Sequence, residues 1–425
     1  MSAVLSQPAW VEEIWVEGDS HMIEGRDIVC LASANWASSN RVNCHLLMER
    51  LATKNRVLFV ETPGARTPAP RELGRAFRRV AAAARGIRKE REQLWVLPPL
   101  ILPKHSLRSI RWLNKVALRL QVQLAARRLG LTTPILWSFL PYGEGLIGHL
   151  SECLTVYHCV DNYAANPGVH VPSLVAAEER LLRRADVVLT TAPALFDAKR
   201  LLNANTHYWP NAANTDLFET TLDAATTVAP DIAAISGPRI GYVGNLASYK
   251  LDLGLLRRVA ADHPEWSFVL IGPEGIGDPS TDLSALRSLS NVHFLGPRSY
   301  ETLPSYLKGM DVCMIPFQVT ESTTYSFPMK FFEYLASGRP VVSTGLPALE
   351  RFRHLFRRGD SPEEFARAIR ESLDADTPKA RESRLSAARS HGWDGLVEQI
   401  SAVVSAAQSP AAGVTRVRTG EHVGC

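Results

Sequence analysis

No run of about 18 apolar residues, the length a helix needs to cross a bilayer, occurs in this sequence. Its first residues, MSAVLSQPAWVEEIWVEGD, are acidic where a secretory signal is basic. The two absences predict a chain that neither spans a membrane nor is exported, and so a cytoplasmic one. Cysteine is sparse: six, at positions 30, 44, 153, 159, 313 and 425. Even the nearest pair, Cys153 and Cys159, lacks the close spacing of zinc ligands, so no structural metal is expected. Most of the cysteines sit in apolar runs such as DIVCLASA and DVCMIPF, which predicts buried free thiols in a reducing compartment. A full Gly-x-Gly-x-x-Gly fingerprint and an evident catalytic triad are also missing.

What is present is a chain of 425 residues, 46% hydrophobic and 21% charged, enough for two ordinary domains with a core each. The net charge of +4 is unevenly spread. Residues 66 to 128 hold 16 Lys or Arg against Glu72, Glu90 and Glu92, so the remainder of the chain is acidic.

Short apolar strands alternate with helical periodicity. In the first half they are DIVCLA, RVLFVE, QLWVL, PILWSFL, LTVYHCVD, DVVLTT and THYWPN. Such alternation predicts a parallel sheet covered on both faces. FETTLDAATTVAPDIAAISGPR breaks the rhythm and reads as a linker. Beyond it come RIGYVG, WSFVLIG, NVHFLG, DVCMIPF and RPVVST, each followed by helical spacing. The fold class expected is α/β, two doubly wound Rossmann-like domains facing a central cleft: residues 1–217, a linker at 218–237, and residues 238–390. Residues 391–408 form a last amphipathic helix free to return to the first domain, and 409–425 read as a disordered tail. Two open parallel sheets place ligands at their carboxyl edges, in the crevice between the domains.

One unit reads as a ligand cradle on its own. In SFPMKFFEYLASGRPVVST, Ser326 to Thr344, Pro328 suits a first helical turn and Gly338 a helix end, which predicts a helix starting near Phe327. Its free N–H groups would face the crevice and favour an anion. Lys330 and Glu333, three apart, share a face. A cation beside a carboxylate suits a phosphate next to a hydroxyl-bearing ribose; the competing readings are a solvated lysine and an exposed helix carboxylate.

GYVGNLASYK, WSFVLIGPEG, NVHFLGPRSYETLPSYLKGMDVCMIPF and PMKFFEYLASGRPVVST, in that order over about residues 238 to 350, resemble the nucleotide-sugar domain of GT-B glycosyltransferases. YHCVDNY and THYWPNAANTDLF resemble the strand end and hinge entry of the same enzymes, in the branch of teichuronic acid glycosyltransferases and xanthan-type glucuronosyltransferases. The resemblance makes Glu333 the ligand of the ribose hydroxyls and Lys330 a phosphate partner. It puts Arg298 and Tyr300 near the base. The loop GNLASYK follows the first strand of its domain, where a backbone can approach a phosphate, which sets Gly244 and Asn245 against the diphosphate with Lys250 and Asp252 just beyond. Tyr325 and Ser326 complete the donor side. Many retaining members carry a glutamate where this chain has Tyr325, and Glu321 is out of register for that role, so the retaining mechanism loses its usual contact.

An inverting transfer needs a general base for the acceptor hydroxyl. Asp161 ends LTVYHCVD at the crevice, and the resemblance supports it as that base; the alternative is a carboxylate capping the loop through Asn162. His158, three residues earlier, points to the other face and reads as core. Arg41, at the start of the first helix, meets the acceptor or the leaving phosphate, or is a surface arginine.

The reading that follows is a hexosyltransferase moving sugar from a nucleoside-diphosphate sugar, a uridine diphosphate sugar by resemblance, to a polysaccharide or lipid-linked glycan acceptor in cell-envelope or exopolysaccharide synthesis. No cofactor is expected beyond the donor substrate. No strand-flanked Asp-x-Asp pair marks a metal, and no nucleic-acid partner is expected. RELGRAFRRVAAAARGIRKERE and KHSLRSIRWLNKVALRLQVQLAARR mix arginines with apolar residues at helical spacing, as a membrane-surface helix does. The segment 66–128 would then hold the protein on the inner face of the cytoplasmic membrane; a solvated basic face is the competing reading. Other functions compatible with the fold are nucleotide-sugar 2-epimerisation and noncatalytic nucleotide-sugar or nucleic-acid binding.

Overall fold

The computed structural model describes residues 22–38, 41–62, 86–102, 107–166 and 168–408. The N-terminal residues, the tail from Ser409 and part of the basic segment lie outside the described residues.

The first sheet has eight strands in the order β3-β4-β2-β1-β5-β6-β7-β8. At its centre β1 (Asp27–Leu31) pairs in parallel with β2 (Arg56–Val60) and β5 (Ile135–Ser138), so that Val29 lies opposite Leu58 on one side and Leu136 on the other. Every residue of β1 is buried, because helices cover both faces and the strand can be apolar throughout. β6 (Leu154–Cys159), β7 (Val187–Thr190) and β8 (Thr206–Tyr208) extend the parallel run. The other edge turns back: β3 (Arg88–Arg91) pairs antiparallel with β4 (Leu94–Leu97). β3 reads Arg-Lys-Glu-Arg, too polar to announce itself by apolar pattern, and such charge suits an unpaired sheet edge.

The second sheet has six strands, β11-β10-β9-β12-β13-β14, in parallel wherever they pair. β9 (Arg239–Val243), β10 (Ser267–Ile271), β11 (Val292–Gly296), β12 (Val312–Ile315) and β13 (Val341–Ser343) follow the apolar runs in the sequence. β14, only Arg357–Arg358, has no apolar residue to signal it.

The stretch 218–237, expected as a linker, is ordered against the second domain. Phe218 is buried edge-on to Tyr300, at 5.4 Å between ring centres, and Ile232 is buried in the helical turn Pro230–Ala233. The chain passes between the domains earlier, just after β8. Asn211 is buried there: its side-chain carbonyl accepts from Asn43 Nδ2 at 2.7 Å, and its Nδ2 donates to the Phe327 carbonyl at 2.6 Å. The last helix, Trp393–Gln408, returns to the first domain, where Val397, Ile400 and Val404 are buried and Asp394 pairs with Arg50 at 2.6 Å.

Candidate active site

The carboxyl edges of the two sheets meet across a cleft. From the first domain comes the loop after β6. Asp161 Oδ1 accepts from the Asn162 backbone N–H at 3.0 Å, which is the capping role, while Oδ2 lies 3.6 Å from Lys250 Nζ of the second domain. The capping role is thus filled by one oxygen, and the other faces Lys250 across the cleft. The sequence places Lys250 only just beyond the loop, yet it is the residue that meets Asp161. Burial alone would lower the Lys250 ammonium, but the Asp161 charge overrides it and holds it above its ordinary value. His158 is buried and stacked on Phe139 at 4.8 Å between ring centres, and burial pushes its imidazole down to about 3, so it is neutral and belongs to the core.

Across the cleft, the helix that carries Lys330 and Glu333 spans Lys330–Ala336, later than the start expected near Phe327. The reason is Asn211. By taking the Phe327 carbonyl it draws that group out of the helical ladder, and Phe331 N–H bonds instead to Pro328 at 3.0 Å. A seven-residue helix has little dipole to offer, so the charged side chains matter more.

Lys330 Nζ donates to the Tyr242 hydroxyl at 2.8 Å and sits 4.0 Å over that ring, with Phe317 on the other side at 4.9 Å. Burial, with the Lys250 charge nearby, lowers the Lys330 ammonium to about 7. Glu333 is buried too, and burial raises its carboxyl to about 7 against the opposing pull of the Tyr300 hydrogen bond and Lys330. Burial therefore disfavours the ordinary charge of both groups.

Gly244 completes this corner. Its φ is +146°, and a Cβ there would come within 2.6 Å of Lys330 Nζ and 3.0 Å of the Tyr242 hydroxyl. Gly272, at φ +145°, lies against the Gly244 carbonyl, where a Cβ would come within 1.9 Å. Only glycine at both places lets the two loops close over the lysine.

The remaining residues singled out in the sequence divide. Asn245 is spent on its neighbour loop: its side chain donates to the Ile276 carbonyl at 2.6 Å and accepts from the Ile276 N–H at 3.1 Å. Tyr300 is buried, and its hydroxyl donates to Glu333 Oε1 at 2.7 Å, so it positions the carboxylate. Arg298 is turned away, paired with Asp231 at 2.7 Å. Tyr325 and Ser326 form the half-buried turn between Glu321–Thr324 and the helix Lys330–Ala336. Glu321 bridges the cleft, accepting from Asn162 Nδ2 at 3.4 Å, a proximity no register argument reveals. Arg41 is paired with Glu49 and lies 4.9 Å over the Trp36 ring. Among the described residues no cluster of three or more His, Cys, Asp or Glu could hold a metal.

Residues 237–375 match the family described as glycosyl transferases group 1. Over 402 residues the chain is 27% identical to TuaH of Bacillus subtilis (strain 168), a glycosyltransferase assigned to teichuronic acid biosynthesis, spanning 88% of this chain and 95% of that one. In three dimensions it resembles sucrose-phosphate synthase of Thermosynechococcus elongatus, with a TM-score of 0.63 at 16% identity, over 90% of this chain and 98% of the other. Anabaena Alr3699/HepE, solved with UDP-glucose, gives a TM-score of 0.62 at 16% identity over 89% and 99%. A trehalose-phosphate synthase of Burkholderia xenovorans, solved with glucose-6-phosphate, gives 0.63 at 11% over 90% and 100%.

Proposed function

We propose, from the premise that the chain is a glycosyltransferase of the GT-B fold with a group 1 domain over 237–375, that it transfers a hexosyl group from a uridine diphosphate sugar to a polysaccharide or lipid-linked glycan of the cell envelope. The observation that carries this is the row of groups across the cleft: Asp161, then Lys250, then Lys330 and Glu333.

Each has a task in that reaction. Glu333, braced by Tyr300, accepts the ribose hydroxyls of the donor. Lys330, with Gly244 beside it, meets the diphosphate. Asp161 takes the proton of the acceptor hydroxyl as its oxygen attacks the anomeric carbon. The bond from that carbon to the phosphate oxygen breaks, and the electron pair leaves with the diphosphate, whose charge Lys330 and Lys250 neutralise. Lys250 couples the halves, since its ammonium bridges toward the base until a diphosphate competes for it. UDP in relatives of the same fold supports the uridine donor. TuaH supports an envelope polymer as acceptor. The basic segment, with exposed leucines on the helix Arg108–Arg128, supports a peripheral place on a membrane surface; among the described residues no helix is long and apolar enough to cross one.

The test pairs binding with turnover. Thermal unfolding with UDP and UDP-sugars should show a midpoint raised by several degrees at about a hundredfold excess over Kd. That shift should be lost in Glu333→Ala and kept in Asp161→Asn, while Asp161→Asn loses at least a hundredfold in UDP release. Turnover untouched by Asp161→Asn removes it as the base.

A further inference from the structure

The first domain holds a cavity of about 490 Å³ on the side that faces the cleft. Its walls are segments that leave the carboxyl ends of three strands: Ile101 beyond β4, the turn Pro141–Gly145 beyond β5, and His170 beyond β6. The helices Arg108–Arg128 and Val171–Arg184 complete it. The loop that opens with Asp161 therefore ends at the cavity wall. No residue of the second domain lines it. The groups assigned to the donor lie in that second domain, so the cavity is space on the acceptor side.

The charge on its walls is one-sided. Along the helix Arg108–Arg128, positions 108, 111, 112 and 115 share a face by helical spacing and bring Arg, Arg, Trp and Lys to the cavity. Arg180 comes from the facing helix, and the one carboxylate on the wall is Glu144. Glu144 is buried and accepts from Lys115 Nζ at 3.0 Å and from Arg180 Nη2 at 3.1 Å, which fixes both cations at the wall. The guanidinium of Arg180 keeps further donors beyond the one spent on Glu144. This arrangement costs the helix stability. Its first turn holds no acid, Arg108 stands at the positive end of the dipole, and Arg111 and Lys115 repeat the like charge along the same face. A helix start with no anion to meet is better served by Asp or Glu.

Two neutral polar side chains of the wall are already spent. Asn114 exchanges two hydrogen bonds with the backbone of Leu102, both 2.9 Å, and the Ser173 hydroxyl donates to the His170 carbonyl at 2.9 Å. An occupant therefore meets chiefly the cations and the side chains of Trp112, Tyr142, Ile101 and Leu118. Guanidinium and ammonium groups hold an oxyanion. Aromatic side chains offer an apolar face on which the C–H groups of a sugar ring can pack.

We propose that this cavity is an acceptor subsite for an acidic sugar unit: the acceptor glycan bears a carboxylate or phosphate held by Arg108, Arg111, Lys115 and Arg180, with Trp112 and Tyr142 flanking the ring. The inference rests on the glycosyltransferase reading above and adds to it the charge of the acceptor. A neutral glycan would leave four cations sharing one carboxylate. A uronate within a polymer and a phosphate at the reducing end of a glycan are two sources of the same charge.

The experiment titrates the full chain by calorimetry with a galacturonate trimer, the same trimer with its carboxyl groups reduced, the reduced trimer carrying a phosphate at its reducing end, and inorganic phosphate. Saturable binding is expected for at least one charged trimer, at least tenfold tighter than for the neutral trimer or for inorganic phosphate. Preference for the galacturonate assigns the charge to a uronate; preference for the phosphorylated trimer assigns it to a terminal phosphate. Arg108→Glu places a carboxylate where the helix dipole favours one, so the unfolding midpoint should hold or rise while charged-trimer binding weakens at least tenfold. A purely structural role of Arg108 would not give that combination. Ala176→Phe, which fills the cavity from a half-buried position, should weaken binding as much. Charged-trimer binding undisturbed by both variants would overturn the proposal. The midpoint shift with UDP, measured on the same protein, keeps the two readings apart. A protein that shows that shift but binds all three trimers equally, or none, or takes inorganic phosphate as tightly as a charged trimer, keeps its donor site and loses the acidic acceptor. Charged-trimer binding without any UDP shift would support the cavity site and sink the donor reading.

Discussion

Lys330 and Glu333 sit three residues apart with their ordinary charges disfavoured, and the two shifts act oppositely on stability. Glu333, raised to about 7, holds a proton in the folded protein that the unfolded chain has released, so stability falls as pH rises toward 7. Lys330, lowered to about 7, has released a proton that the unfolded chain still holds, so stability rises again as pH goes above 7. Each limb is expected in the difference between parent and variant at that site, because the neutral buried His158 and His45 act in the opposite sense to Glu333 below about pH 6.5. Glu333→Gln should remove the falling limb, so that its advantage over the parent is larger at pH 7 than at pH 5. A diphosphate would return Lys330 to its charged form. Calorimetry at pH 8 in two buffers of different ionisation enthalpy should then show proton uptake when UDP binds, and Lys330→Met should show none. The face shared by these two residues was legible in the sequence, because helix periodicity decides it. Lys250 was not: its partner, Asp161, lies in the other domain, and only the closing of the cleft brings a lysine after β9 to a carboxylate after β6.

Among the elements, the sequence is legible where burial imposes a pattern and silent where it does not. The central strands β1, β2 and β5, buried between two layers of helices, read as apolar runs. β3 and β14 do not, because an edge strand is defined by one neighbour's hydrogen bonds and can be made of arginines. The helix Lys330–Ala336 was visible from Pro328 and Gly338, but its first turn was moved by a tertiary hydrogen bond from Asn211 that no capping rule contains. The final helix, Trp393–Gln408, has an apolar face whose destination periodicity leaves open; it covers β6 and β7 of the first domain. Ile400 is wholly buried there, so Ile400→Ala should cost about 2–5 kcal/mol by urea denaturation, the range for large-to-small changes in cores. A loss below about 1 kcal/mol would mean that the helix packs loosely on its neighbour.

For the molecule as a whole, the relation between its two sheets rests on a few polar ties close to the crossing. Asn211 is at their centre, joining Asn43 of the first domain to the Phe327 carbonyl of the second. Asn211→Ala leaves two buried polar groups without their partner, each worth about 1–3 kcal/mol. Because the same bond sets the start of the helix Lys330–Ala336, to which donor binding is assigned above as a proposal, the change should also raise KM for the donor severalfold while leaving kcat within about twofold. A stability loss with unchanged KM would separate the tie from the site. Arg50, paired with Asp394 of the returning last helix, is more exposed and should matter less, since solvent and salt screen it.

The sequence by itself determined that two parallel sheets form, where most of their strands run, and that a cation and a carboxylate share the face of one short helix, because periodicity and punctuation are local properties. Tertiary structure alone decided that Asp161 faces Lys250, that Tyr300 braces Glu333 while Arg298 turns to Asp231, that the supposed linker packs on the second domain, and that three first-domain elements enclose a cavity. Those are contacts between residues tens to hundreds of positions apart, and their energies enter only when the chain has closed on itself.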